Sequence, residues 1–354
     1  MQTSEFEAAQ DFLLAAKKYW TTEMYRSLRG LYQSRLSESG KPEPKSVGEV
    51  ANILEGEPTY QYFSWLERHI QRLKYTGPYG LVPYFADRRQ QFLSELKVAS
   101  PKVKVTLDDT LKLPDYYSGI DTHQHLGGLW SDEVAGVIYE RGARTTTPLL
   151  GEAHATLHDF LADFIQAGGP VKRLLDLGCG FGKSTRPFAE MKSIEQVIGI
   201  DLSAPCLKVA GALTSPSGKC TVEFRQMDVT ALKFDANSFD VVTSTMLLHE
   251  ISPKAVEQLF REAFRVLRPG GRMVHLDFWR FPSIFRKFLH YGHGQRNNEP
   301  FMIALAELNL PKILADIGFT NIAIEPFSET GEAPEIEPTE WRFPWTTICA
   351  SKPA

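Results

Sequence analysis

The stretch Lys172–Leu202, KRLLDLGCGFGKSTRPFAEMKSIEQVIGIDL, constrains this chain more than any other. The apolar run Leu174-Leu175-Asp176-Leu177 predicts a buried parallel strand. It runs into a glycine-rich turn, Gly178-Cys179-Gly180-Phe181-Gly182, followed by a helix over about 182–191. A second apolar strand, Val197–Ile200, ends on Asp201. Strand, glycine turn, helix, strand and acid is the layout of a nucleotide-binding βαβ unit. Glycine lets the backbone bend tightly and approach a ligand, because no Cβ intervenes. An acid at the tip of the second strand accepts hydrogen bonds from both hydroxyls of a ribose. A glycine turn that binds nothing is the alternative that this stretch alone leaves open.

From residue 171 onward strands and helices alternate. Strands are expected at 172–177, 197–201, 221–226, 239–244 and 272–278, with helices near 183–191, 203–213 and 253–267. That alternation means an α/β fold with a parallel sheet covered on both faces. A helix over about 302–317 and two further strands, 321–327 and 345–351, are expected to close it as an edge hairpin. The expected architecture is a Rossmann-like, doubly wound, mostly parallel seven-stranded sheet over 151–354, with a separate, mainly α-helical region at 1–150.

Five blocks resemble the class I S-adenosylmethionine-dependent methyltransferases: LLDLGCGFG (174–182), GIDLS (199–203), QMDVTAL (226–232), FDVVTSTMLLHEI (239–251) and FRVLRPGGRMVHLDF (264–278), in family order and spacing. The resemblance implies a site for S-adenosyl-L-methionine and its product S-adenosyl-L-homocysteine. Asp176, Gly178, Cys179, Gly180 and Gly182 would surround the methionine part. Asp201 would bind the ribose and Leu202 would pack on the adenine. Asp228 would accept from the adenine amino group, with Val229 beside the ring, and Thr245 would complete the site. The cofactor is a cation with a free amino group, so carboxylates suit it.

Methyl transfer is an in-line displacement, so the protein must align a nucleophile and remove any proton it carries. His249, in LLHEI, resembles the general-base histidine of plant-type O-methyltransferases, although Glu250-Ile251 stands where that group has Asp-Trp. A pocket-lining role and a structural one are the alternatives. Asp277, His290 and His293 follow as further catalytic candidates; HYGHGQRNNEP (290–300) has the composition of a substrate-facing loop. The aromatics Trp279, Phe281, Phe285, Phe288 and Tyr291 read as core packing or as the wall of a pocket for a flat acceptor.

The first hundred residues carry apolar positions at helical spacing, such as Phe12, Ala16, Trp20, Met24, Leu28 and Leu31. Ser46 and Glu49 predict a capping box, and a longer helix follows at 59–74. With the turn and extended piece TGPYGLVP and a helix near 87–96, this part resembles a winged helix. That arrangement begins many plant-type O-methyltransferases, where it dimerises and covers the substrate. A homodimer through the N-terminal helices is the corresponding expectation.

His123 and His125, in DTHQHLGG, would need a third ligand from elsewhere to bind a metal, and the sequence offers none, so no metal is expected. The net charge of −4 gives no global field for nucleic acid. No apolar run approaches the roughly 18 residues of a membrane span. The four cysteines lack paired spacing, and the first residues lack a leader pattern, so a cytoplasmic location is expected. The expected activity is methylation of a small organic molecule at oxygen, carbon or nitrogen, with a phenolic or quinone-like acceptor in the lead. A non-catalytic cofactor-binding scaffold and a nicotinamide-dependent oxidoreductase are the alternatives.

Overall fold

The computed structural model describes residues 3–145, 155–329 and 338–354. The chain opens with α1 (Thr3–Tyr19), which passes through a π-helical turn, Trp20–Met24, into α2 (Tyr25–Ser39). Gly40, at φ +60°, ends this run, as the left-handed C-cap position requires. The helix α3 (Val47–Leu54) starts on Ser46, whose side chain accepts from Glu49 N. The reciprocal arm of the expected capping box lands one residue early, with Glu49 accepting from Lys45 N at 2.8 Å. Then come α4 (Pro58–Thr76), α5 (Leu81–Asp87) and α6 (Arg89–Glu95). The stretch read as a turn and a short extended piece keeps its turn at 77–80, but residues 81–83 begin α5 rather than extending, so the second half of a winged-helix motif is not formed there.

The strand β1 (Val103–Thr106) pairs in parallel with β4 (Thr221–Gln226) at one sheet edge. Residues 103–106 therefore belong to the α/β layer, and the change from helices to sheet falls well before 150. Four residues, VKVT, give too short an alternation to be read as a strand. After the short α7 (Asp115–Ser118), α8 (Ala135–Ala143) lies close against α11 (Ala204–Leu213): a Cβ on Gly136 would come within 2.3 Å of Pro205 O. The helix α9 (Ala155–Ala167) leads to the sheet; the sequence there predicts a helix over about 152–166, of which 152–154 lie outside the described residues.

The remaining elements are β2 (Arg173–Leu177), α10 (Arg186–Glu190), β3 (Gln196–Asp201), β5 (Phe239–Thr245), α12 (Pro253–Val266), β6 (Leu267–Phe278), α13 (Ile284–Asn297), α14 (Met302–Glu307), α15 (Leu310–Ile317), β7 (Thr320–Pro326) and β8 (Trp345–Ser351). Among the described residues the sheet has eight strands, in the order β1-β4-β3-β2-β5-β6-β8-β7. All pairings are parallel except those of β8, which runs antiparallel to β6 and β7. The order reverses at β2, between β3 and β5, and a doubly wound sheet opens its ligand crevice at the carboxyl ends of the strands there.

Two expectations beyond the sheet are corrected. The stretch 290–300 is mostly helix: Ser283 caps α13 by accepting from Arg286 N, and the helix runs to Asn297 before Asn298 turns left-handed at φ 58°. Its internal glycines reflect crowding, since a Cβ on Gly294 would sit 3.1 Å from the Met302 side chain. The single helix expected at 302–317 is two, because Asn309 caps a fresh start with Pro311 in its first turn.

The helical region has its own core around Trp20, Leu28, Val50, Leu54 and Phe63, and this core also contains Phe285, Phe288, Leu289 and Trp341 from the far end of the chain. Trp20 donates to Phe63 O at 2.9 Å and stacks on its ring. Arg286, buried, donates to Tyr25 Oη at 2.7 Å and to Arg342 O. Of the five aromatics read as core or pocket, Phe285 and Phe288 therefore belong to core.

Candidate active site

The glycine turn after β2 is held in a shape only glycine adopts easily. Gly178, Gly180 and Gly182 lie at φ +64°, +51° and +76°. Asp176 is fully buried; its Oδ2 accepts from Ser184 Oγ at 2.7 Å and Thr185 Oγ1 at 2.6 Å, which ties the turn to the start of α10. Its other oxygen has no hydrogen-bond partner among the described residues. Burial pushes this carboxyl up to about 6 against those two hydrogen bonds. Asp201 accepts from Gly180 N at 2.9 Å and from Ser203 N at 2.8 Å. Those two bonds aim its carboxylate across the mouth of the turn.

Two cavities meet at this turn. The smaller, of about 100 Å³, is lined by Gly178, Gly180, Asp201, Leu202, Val229 and Tyr117, among others. The larger, of about 140 Å³, is lined by Cys179, Phe181, Thr245, His249, His293 and residues of the helical region, including Lys17 and Lys74. Gly178, Gly180, His123, Tyr139, Met246 and Glu250 line both. Seven of the ten cofactor residues expected from the sequence line one or both cavities; Asp176, buried beneath the turn, Gly182 and Asp228 line neither. Gly182 packs inward, where a Cβ would meet Ala210 Cβ at 2.9 Å. Asp228 folds over its own turn, accepting from Thr230 N and Thr230 Oγ1 at 2.8 Å each, and lines neither cavity.

The catalytic candidates separate. His249 is buried, with Nδ1 2.7 Å from Asp277 Oδ1 and Nε2 3.5 Å from Glu250 Oε1. Asp277 also accepts from Leu248 N and Phe278 N, so its carboxylate is fixed from three sides. Burial alone would lower the His249 pKa, but Asp277 and then Glu250 outweigh it and hold it well above its ordinary value. His293 faces the larger cavity with Nδ1 2.5 Å from Glu67 Oε1. His290 does not reach either cavity. Both its ring nitrogens lack hydrogen-bond partners among the described residues, it packs against Phe278 and Phe281, and burial drives its pKa well below the ordinary value.

Sequence reading missed Glu250, Glu299, Lys17, Lys74 and Tyr139. They lie on separate segments, and only the fold brings them to one place. His123 belongs with them: its Nε2 is 3.0 Å from Glu250 Oε1 and 3.5 Å from Glu299 Oε1. His125 does not, since it stacks flat on Tyr75 at 4.9 Å. Burial, with the Lys17 charge beside it, pushes Lys74 down to about 7.

A family model described as a methyltransferase domain matches residues 175–275. The chain is 40% identical over 178 residues to the demethylmenaquinone methyltransferase of Lactiplantibacillus plantarum, covering 44% of this chain and 73% of that protein. It is 38% identical over 158 residues to phosphoethanolamine N-methyltransferase 1 of Arabidopsis thaliana, covering 44% of this chain and 30% of that one. A third relative, the 2-methyl-6-phytyl-1,4-hydroquinone methyltransferase of Synechocystis, is 36% identical over 152 residues, covering 38% of this chain and 46% of that protein. The chain belongs to the class I S-adenosylmethionine-dependent methyltransferases. It spans less than a third of the length of the plant relatives it matches.

The residues present fit the cofactor. The turn leaves room at Gly180, where a Cβ would meet only the Tyr139 ring, at an ordinary van der Waals distance of 3.7 Å. Asp201 is preset by two backbone donors, and Asp176 keeps one oxygen without a partner among the described residues. Among the described residues, no helix is long and apolar enough to cross a membrane.

Proposed function

We propose that the chain methylates a compact, polar acceptor seated in the larger cavity. The observation that carries this reading is the junction of the two cavities at Gly178 and Gly180, with His123 and Glu250 lining both. S-adenosylmethionine supplies the electrophilic methyl carbon together with its own leaving group. In this reading Asp201 holds the ribose, Leu202 and Val229 flank the base, and Gly178–Gly180 pass beside the methionine part. Asp228 has a weaker claim, because its carboxylate is already engaged by Thr230.

His249, fixed through Nδ1 by Asp277, lines the acceptor cavity; held protonated by Asp277 and Glu250, it is placed to orient an acceptor by donating from Nε2, and it takes an acceptor's proton only after giving up its own. Tyr75, Phe278 and Phe343 offer aromatic faces to a planar acceptor, while Lys17, Lys74, Glu250 and Glu299 make the walls polar. A phenolic or quinone-like ring without a long lipid tail fits those walls. Methyl transfer to a panel of phenols, hydroxyquinones, 2-oxo acids and amino alcohols, followed as S-adenosylhomocysteine release by mass spectrometry, tests the reading. Release dependent on one acceptor class is the expected result. Binding of the demethylated product with no transfer to any acceptor would favour a cofactor-binding scaffold instead.

A further inference from the structure

Two carboxylates converge on one imidazole nitrogen inside the acceptor cavity. Glu250 Oε1 lies 3.0 Å, and Glu299 Oε1 3.5 Å, from His123 Nε2, and the ligand atoms of all three residues lie within 4.8 Å of one another. A single Nε2 carries one proton and cannot satisfy both acids. Two more imidazoles turn the same nitrogen to the same oxygens: His249 Nε2 is 3.5 Å from Glu250 Oε1, and His293 Nε2 is 3.9 Å from Glu299 Oε1. Each of these two rings is oriented from behind by a carboxylate at Nδ1, Asp277 for His249 and Glu67 for His293.

That second layer points to a ligand. Metal-binding histidines regularly give their other ring nitrogen to a carboxylate, which sets the tautomer and turns the free nitrogen to the ion. Groups bonded about 2.1 Å from one ion stand roughly 3.0–3.5 Å from their neighbours around it, close to the separations seen between His123, Glu250, Glu299 and His249. Burial sharpens the case. Glu299 is 5% exposed, and the His123 and His293 rings are the charge-bearing groups within 4 Å of its carboxylate among the described residues. His123 is held toward the cluster by a left-handed backbone, φ 57°, that non-glycine residues rarely adopt.

We infer that His123, Glu250 and Glu299, closed by His249 and His293, form a site for one divalent transition-metal ion at the junction of the two cavities. A mixed imidazole and carboxylate set suits iron, manganese, cobalt or zinc in the divalent state. The site rests on the acceptor cavity of the proposed function and gives it a chemical preference. An ion there takes an acceptor oxygen as a further ligand and favours its deprotonated form. His249 then meets the ion, so its substitution removes metal as well as an acceptor contact.

The test is titration of the chelator-treated, full-length protein with Co2+, read by its visible absorption, beside calorimetry with S-adenosylhomocysteine. The expected result is one Co2+ per chain with ligand-field bands of a nitrogen- and oxygen-bound ion. His123→Ala and Glu299→Gln should each weaken Co2+ binding at least about 10-fold, and Asp277→Asn, acting through His249, about 10- to 100-fold. Binding of S-adenosylhomocysteine by Glu299→Gln, whose side chain lines only the acceptor cavity, should persist, which separates loss of the metal from failure of the cofactor reading. A folded protein that binds S-adenosylhomocysteine but takes up no stoichiometric Co2+ would overturn the site. So would Co2+ binding indifferent to both His123→Ala and Glu299→Gln.

Discussion

At the scale of single residues, what matters is which polar atoms are already engaged. Among the described residues Asp201 is hydrogen-bonded by backbone donors alone, which orient its carboxylate without neutralising it. Hydrogen bonds to a charged group contribute about 1.5–3 kcal/mol, so Asp201→Ala should weaken S-adenosylhomocysteine binding about 10- to 100-fold in calorimetry. His275 shows the opposite case, a histidine spent on structure. It is fully buried with Nδ1 2.6 Å from Ser244 Oγ, and burial pushes its pKa down to about 3. Below its unfolded value near 6.5 the unfolded chain takes up a proton that the native state refuses, so stability present above pH 6.5 is lost as pH falls toward 3. Between pH 7 and 5 this amounts to about 2 kcal/mol. Urea melts at the two pH values should show that difference shrinking in His275→Gln. Legibility follows the same line. Asp201 and the glycines are readable because a local motif fixes them. Glu250 and Glu299 acquire meaning only through His123, which reaches them from a distant segment.

At the scale of elements, capping decides how firmly the site's supports are held. Ser252 caps α12 by accepting from Ala255 N at 3.3 Å, and Ser252→Ala should cost about 1 kcal/mol. Ser203 does more. It accepts from Cys206 N at the start of α11 and also donates to Leu129 O, so one buried hydroxyl ties the 122–130 segment to the end of β3. Ser203→Ala should therefore cost about 2 kcal/mol, roughly twice the loss at Ser252, in the same chemical melts. The parallel strands were readable as apolar runs because both faces of the sheet are covered. β1 was not, since four residues carry too little pattern. α13 was misread because its histidines, glycines and asparagines suggest a loop, while tertiary crowding around Met302 and Glu67 makes a helix of them.

At the scale of the whole molecule, the two halves of the chain are joined by buried charge as well as by apolar packing. Glu67, on α4, receives both His293 and Arg296 from α13 and is 1% exposed. Removing one partner of such a cluster leaves the others buried without compensation, so Glu67→Ala should cost about 3–5 kcal/mol. Calorimetric unfolding of the intact protein should show one cooperative transition, moved to lower temperature as a whole in Glu67→Ala. Two separated transitions would mean that the halves melt independently. The sequence reads as a separate helical region over 1–150, because the apolar spacing of the first hundred residues does not reveal that Phe285, Phe288 and Trp341 complete their core.

That common core bears on how molecules come and go. A covering wall anchored by Phe285, Phe288 and Trp341 is no door on a hinge; swinging it aside would expose the interior of the protein. Traffic to the acceptor space must instead pass between rotating side chains and short connecting turns. Such motions run on the picosecond-to-microsecond scale rather than the millisecond scale of domain closure. Crosslinking the two halves through their shared interior is therefore expected to leave the proposed methyl transfer running, and its loss would show that the halves must part.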